Sequence, residues 1–131
     1  MKKALLLSQY DSSQATTRIR ILSLLKPLND NGFTTRFEPL ISWNFNKYPR
    51  YIQIFLLLRN YFRRLIILLF NNYDLIVFNR EIFPKLPFFF DSIVFISSKK
   101  VVMDLDDGIH LYYVKSILQG KIEKLAHYSD C

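Results

Sequence analysis

Lys3-Ala4-Leu5-Leu6-Leu7-Ser8 is a short apolar run that stops at Gln9, Tyr10 and Asp11. A run with no polar residue alternating through it reads as a strand covered on both faces. Met1-Lys2-Lys3 in front of it resembles a secretory n-region, but the apolar stretch is too short for the hydrophobic part of a signal peptide. A strand covered twice needs helices above and below it. Downstream, Ser12 and Ser13 offer an N-cap, and Ile19, Leu22 and Leu25 recur at helical spacing. Asn29-Asp30-Asn31-Gly32 closes that helix, with Pro27 kinking or re-capping it.

The alternation then continues. Phe33 to Leu40 reads as a second strand, followed by a loop with Trp43, Tyr48 and Pro49 and a helix from Tyr51 to Phe70. Leu75 to Asn79 is a third strand, Phe88 to Ile96 a helix, and Lys100 to Leu105 a fourth strand. Lys115 to Tyr128 is a last helix with Ile117, Leu118, Ile122 and Leu125 inward. Strands separated by helices pair in parallel through right-handed crossovers. The predicted fold is α/β, an open parallel sheet with helices on both faces, Rossmann-like, as a single domain over residues 1–131.

Composition narrows the function. With 131 residues, 50% of them hydrophobic and 22% charged, the chain packs one core and has no room for a second full domain. The lone cysteine, Cys131, excludes an internal disulfide and a Cys-based zinc site and suits a reducing compartment. Gly32, Gly108 and Gly120 are the only glycines, so neither a dinucleotide-binding G-x-G-x-x-G nor a Walker-type phosphate cradle can be written. No cofactor and no metal site is expected.

Charge is unevenly placed. Residues 1–70 carry 11 Lys or Arg against 3 acidic residues, +8, and residues 71–131 carry 7 against 8, −1, which sums to the formal +7. A cationic half attracts nucleic acid, anionic lipid or phosphorylated small molecules alike. No zinc-finger, KH or RNP pattern accompanies it, so nucleic acid is not the expected partner. In the Tyr51 to Phe70 helix, Arg59, Asn60, Arg63 and Arg64 form one polar stripe opposite Ile52, Phe55, Phe62, Ile66 and Leu69. Two readings stand: a core helix with a solvated basic edge, or an interfacial helix whose Arg59, Arg63 and Arg64 face an anionic membrane. No stretch is long enough to span a bilayer.

Ligands of such sheets collect at the carboxyl ends of the strands. That selects Gln9 to Arg20, Asn79-Arg80-Glu81 and Asp106-Asp107-Gly108-Ile109-His110. Arg18 and Arg20 are expected to open the first helix and bind a phosphate or carboxylate, or else to stand exposed on a first turn. Arg80 and Glu81 either bind ligand or pair with their neighbours. Asp104, Asp106 and Asp107 crowd one strand end, so a compensating positive group must sit there. His110 and His127 remain unassigned.

Two resemblances follow. Asp104-Leu105-Asp106-Asp107 after an apolar strand looks like the nucleophile strand of haloacid dehalogenase-type phosphatases, which implies magnesium-dependent aspartyl phosphate chemistry, although few residues follow it here. Taken in order, Ser12-Ser13 with Thr17-Arg18-Ile19-Arg20, the stretch Tyr73-Asp74-Leu75-Ile76-Val77-Phe78-Asn79-Arg80-Glu81, and Val101 to Ile109 resemble the S-S-R-x-R opening, the "YDLV..QRE" stretch and the "VVYDFDDAI" strand of bacterial GT-B glycosyltransferases. Asn79 and Gly108 depart from that pattern. The resemblance implies the amino-terminal, acceptor-side half of a transferase. That half faces a cell-surface or lipid-linked glycan, with Arg18, Arg20, Arg80, Glu81, Asp106 and Asp107 as substrate-binding residues. A nucleotide-sugar donor would then bind a second domain not present in these residues, so the chain is expected to be truncated before its last strands and inactive alone. Its expected location is cytoplasmic, peripheral on the inner membrane face. The third alternative is a non-enzymatic module for anionic membranes.

Overall fold

The computed structural model describes residues 1–104 and 120–129. Four strands, β1 (Lys2–Tyr10), β2 (Phe33–Ile41), β3 (Leu75–Asn79) and β4 (Val101–Asp104), pair wholly in parallel in the order β2-β1-β3-β4. The run Leu5-Leu6-Leu7 lies in the middle of this sheet and is buried throughout, as a strand covered on both faces must be. Side-chain alternation divides the core in two. Leu5, Leu7, Ile76, Phe78, Val101 and Met103 face one helical layer, while Leu6 and Val77 face the other with Ile21. Pro39, which cannot donate to a ladder, sits on β2, an edge strand among the described residues.

The thinner layer is α1 (Ala15–Arg20), a 3-10 turn over Leu22–Leu24, and α2 (Leu25–Asp30). Pro27 falls in the first turn of α2, where its missing N–H breaks no helical bond. Ser12 and Ser13 do not cap α1. Gln14 holds that position, and Ser13 instead gives its N–H and hydroxyl to the Asp11 carboxylate at 3.0 and 2.5 Å. This local turn outcompetes the cap.

The thicker layer is α3 (Arg50–Phe70), α4 (Phe88–Asp91), α5 (Ile93–Ser97) and α6 (Lys121–Tyr128). The helix expected over Phe88 to Ile96 is broken at Ser92, whose hydroxyl donates to the Phe89 carbonyl at 2.6 Å. Asp91, just before the break, points into the core with none of its surface exposed. The last helix begins at Lys121 after Gly120, whose φ of 80° is a left-handed conformation suited to glycine. Ile122 and Leu125 are buried as expected, whereas Ile117 and Leu118 lie outside the described residues.

Helix α3 turns its apolar face outward and only part of its polar stripe inward. Asn60 donates to the Leu40 carbonyl at 2.7 Å and Arg64 is buried, while Arg59 and Arg63 stay exposed at the edge, Arg63 pairing with Glu38 at 3.2 Å. Its outer face carries Tyr51, Phe55, Leu58, Phe62, Ile66 and Leu69, all exposed. The inner face of this helix packs on the rim of the sheet, where strand-end carbonyls need donors, and a wholly apolar face could not supply them.

Candidate functional site

The chain leaves β1 toward β2 on one side of the sheet and later returns to place β3 on its other side. The strand order therefore reverses between β1 and β3, the position where open α/β sheets leave a crevice. A cleft of about 90 Å³ lies there, lined by Gln9 and Tyr10 after β1, Gln14, Thr16 and Thr17 of the first helical unit, and Asn79 and Arg80 at the end of β3. Thr17 braces it by donating to the Tyr10 carbonyl at 3.1 Å.

The two arginines of α1 lie in its last turn rather than opening it. Arg18 folds back on its own loop, donating to the carbonyls of Ser12 and Ser13 at 2.9 and 2.8 Å. Arg20 reaches the end of β4 and contacts both carboxylate oxygens of Asp104 at 3.0 and 3.1 Å. Asn79 adds a bond to Asp104 at 2.9 Å, and the Arg80 N–H donates to the Asp104 carbonyl at 3.1 Å. Residues from α1, β3 and β4 thus meet on one rim, and Arg20 is the positive group expected beside the acidic strand end. Asp106, Asp107 and His110 lie outside the described residues.

Among the described residues, Arg80 and Lys85 are the non-glycine positions with positive φ, at 65° and 64°. Such backbone is sparsely populated and persists only where the surroundings enforce it. Four buried or half-buried groups enforce it here. Arg64 Nη1 donates to the Ile82 carbonyl at 2.7 Å, and Asp91 Oδ1 accepts the N–H groups of Ile82 and Phe83 at 3.0 and 2.7 Å. Lys121 Nζ donates to the Phe83 carbonyl at 2.7 Å, and the Tyr61 hydroxyl donates to that of Pro84.

Glu81, expected either to bind ligand or to pair with a neighbour, turns inward. It is buried and pairs with Lys121 at 2.8 Å, and Asp91 Oδ2 lies 2.7 Å from the same ammonium as an ion contact without hydrogen-bond geometry. One cation thus faces two carboxylates in a buried site. Burial pushes the Asp91 carboxyl up to about 6, while Lys121 and the Phe83 N–H act in the opposite sense.

Arg64 is likewise not membrane-facing. Besides Ile82 it donates to the carbonyls of Ser8 at 2.8 Å and Glu38 at 2.9 Å, so it ties together β1, β2 and the loop after β3. Burial pulls its pKa down to about 10, with Glu38, Tyr61 and Asp91 favouring the charged form, and it stays ionised at neutral pH. Arg59 and Arg63 do remain on the surface, Arg63 with its guanidinium about two-thirds exposed beside Glu38.

Lys121 and the inward role of Asp91 escaped sequence reading. Asp91 left a signal, because a carboxylate amid Phe88-Phe89-Phe90 and Ile93-Val94-Phe95 requires a partner when that run is buried. Lys121 left none, as its partner Glu81 is 40 residues away. Comparison with protein-family models, curated proteins and solved structures finds no match for this chain.

Proposed function

We propose that the chain is a peripheral membrane domain, the acceptor-side half of a glycosyltransferase, which lays α3 on an anionic bilayer and presents the β1/β3 cleft to a glycan or lipid-linked acceptor. The observation that carries this reading is the outer face of α3. Phe55, Leu58, Phe62 and Leu69 are each about 60% exposed or more, on a helix of 21 residues, about 31 Å long, that contains arginines and no carboxylate. A solvated helix gains nothing from such a face, whereas an interfacial helix buries it among acyl chains. No described helix is long and apolar enough to cross a membrane. Trp43, Tyr48 and Tyr51, all exposed near the start of α3, have the amphipathic rings that favour the headgroup level.

The transferase part of the reading rests on the order of the three sequence stretches and on a parallel sheet with Asn79 and Arg80 in its β1/β3 crevice and the Arg20–Asp104 pair on the same rim. The donor would be a nucleotide sugar held by a separate domain. The aspartyl phosphatase alternative has less behind it: β4 is an edge strand among the described residues, and its Asp104 is engaged by Arg20 and Asn79. Sedimentation with vesicles of mixed phosphatidylglycerol and phosphatidylcholine tests the membrane reading. Binding that is strong at low salt and absent from pure phosphatidylcholine supports it. Indifference to both vesicles at low salt removes it.

A further inference from the structure

The β1/β3 cleft holds polar side chains that the fold itself does not use. Gln9 at the end of β1, Gln14 at the N-cap of α1 and Thr16 in its first turn all line it. Among the described residues, none of these three side chains hydrogen-bonds to the protein, and Gln14 does not even cap the helix it precedes. Their neighbours in the cleft are engaged. Thr17 donates to the Tyr10 carbonyl at 3.1 Å and Asn79 to the Asp104 carboxylate at 2.9 Å, so the walls are fixed while the three free groups face outward.

The chemistry of those groups selects a ligand class. A carboxamide presents a donor and an acceptor together, and a hydroxyl does both at one atom. A carboxylate or phosphate only accepts and would use half of each carboxamide, and an ammonium only donates and would use the other half. A sugar hydroxyl donates and accepts, and one ring repeats it at neighbouring carbons. The cations of this rim point the same way. Arg18 is turned to the carbonyls of Ser12 and Ser13 and Arg20 to Asp104, and Arg80, which lines the cleft, is not without a partner. No carboxylate among the described residues lines the cleft. Its volume of about 90 Å³ has room for roughly three waters at about 30 Å³ each, which suits the edge of one ring rather than several rings. Tyr10, partly exposed in the same wall, adds an aromatic surface with a polar tip.

We propose, on the acceptor-side reading, that this cleft recognises the terminal unit of the acceptor as a neutral sugar ring through its hydroxyls, with Gln9, Gln14 and Thr16 selecting it over an acidic one. The test titrates the whole chain, without vesicles, with the methyl glycosides of glucose, galactose, mannose and N-acetylglucosamine, and with methyl glucuronide and methyl galacturonide as anionic counterparts. Binding is followed by the NMR shifts of the Gln9, Gln14 and Asn79 side-chain amides. Saturable shifts with at least one neutral glycoside at millimolar concentration are expected, with the uronides about tenfold weaker or more. Gln14→Ala/Thr16→Val, at two exposed positions, should weaken the neutral glycoside about tenfold for two lost hydrogen bonds and leave the urea midpoint unchanged. Uronides that bind as tightly as the neutral glycosides at the same amides overturn the selection and leave the acceptor-side reading standing. Full affinity in the double variant overturns the residues assigned to it. Shifts from neither kind of sugar overturn the site and take the acceptor-side reading of this cleft with it, whatever α3 does on vesicles.

Discussion

Arg64 and Asp91 hold the same residue from its two ends: the guanidinium donates to the Ile82 carbonyl at 2.7 Å, and the carboxylate accepts the Ile82 N–H at 3.0 Å. The two groups come from different helices, α3 and α4, and meet on a loop that belongs to neither. That loop follows Arg80, which lines the β1/β3 cleft. Polar groups buried in the core thus fix the backbone next to the cleft.

Replacing Arg64 should be among the costliest single changes in the chain. Arg64→Met leaves the carbonyls of Ser8, Glu38 and Ile82 without their donor, and each buried orphan costs about 1–3 kcal/mol. The expected loss in urea unfolding is about 3–5 kcal/mol, and Arg64→Lys recovers only part of it, because an ammonium cannot span three acceptors in a fork geometry. A loss below 1 kcal/mol for Arg64→Met contradicts the role assigned here.

Asp91 should invert the usual acid sensitivity. Its folded pKa, about 6, lies above the ordinary 3.8, so the folded chain binds the extra proton and stability falls as pH rises through that window. Stability should rise by about 1 kcal/mol from pH 7 to pH 5 through this group. Below about pH 4 the trend reverses, because Asp11 and Asp74, both held below their ordinary values, lose their native bonds. For Asp74 the cause is the Lys99 ammonium and then the Lys3 N–H; for Asp11 hydrogen bonds from Ser13 and Trp43 outweigh the upward effect of burial. Urea midpoints of Asp91→Asn should be flat between pH 5 and 7.

On α3, Phe62→Asp should abolish sedimentation with anionic vesicles while changing unfolding free energy by about 0.5 kcal/mol or less, since the ring is 65% exposed. Arg59→Gln with Arg63→Gln should weaken the same binding by about 1 kcal/mol per charge and flatten its salt dependence. Loss of folding in Phe62→Asp would mean that the ring packs in the core after all.

Lys85→Gly tests the strain in the loop after β3. Glycine adopts a φ of 64° without the side-chain clash, so the backbone of the variant should be relieved by up to about 1 kcal/mol in urea unfolding. A variant less stable than the parent chain would show that the contacts of the Lys85 side chain outweigh the backbone strain.

The ion pair of Arg20 with Asp104 is partly solvated on both sides, so Asp104→Asn should cost less than about 1 kcal/mol. A much larger loss in thermal or urea unfolding would show that the pair organises the rim of the sheet beyond its own contact.

Much of the architecture was legible along the chain. Unbroken apolar runs at Leu5 and Ile76, alternating with helical spacing, required parallel strands between two layers of helix, and Leu75 to Asn79 was bounded as observed. The rim position of Asn79, Arg80 and Asp104 followed from where those strands stop. Side-chain orientation did not. Periodicity shows that the faces of a helix differ, but on α3 both faces carry Leu, Ile or Phe, so the pattern could not say which turned inward. Burial of Arg64 was decided by strand-end carbonyls from residues 8, 38 and 82, which have no relation to one another until the sheet is assembled. The same holds for Lys121, Glu81 and Asp91: linear order can place charges in the chain, but pairing them in a dry interior depends on distances that exist only once the layers have closed.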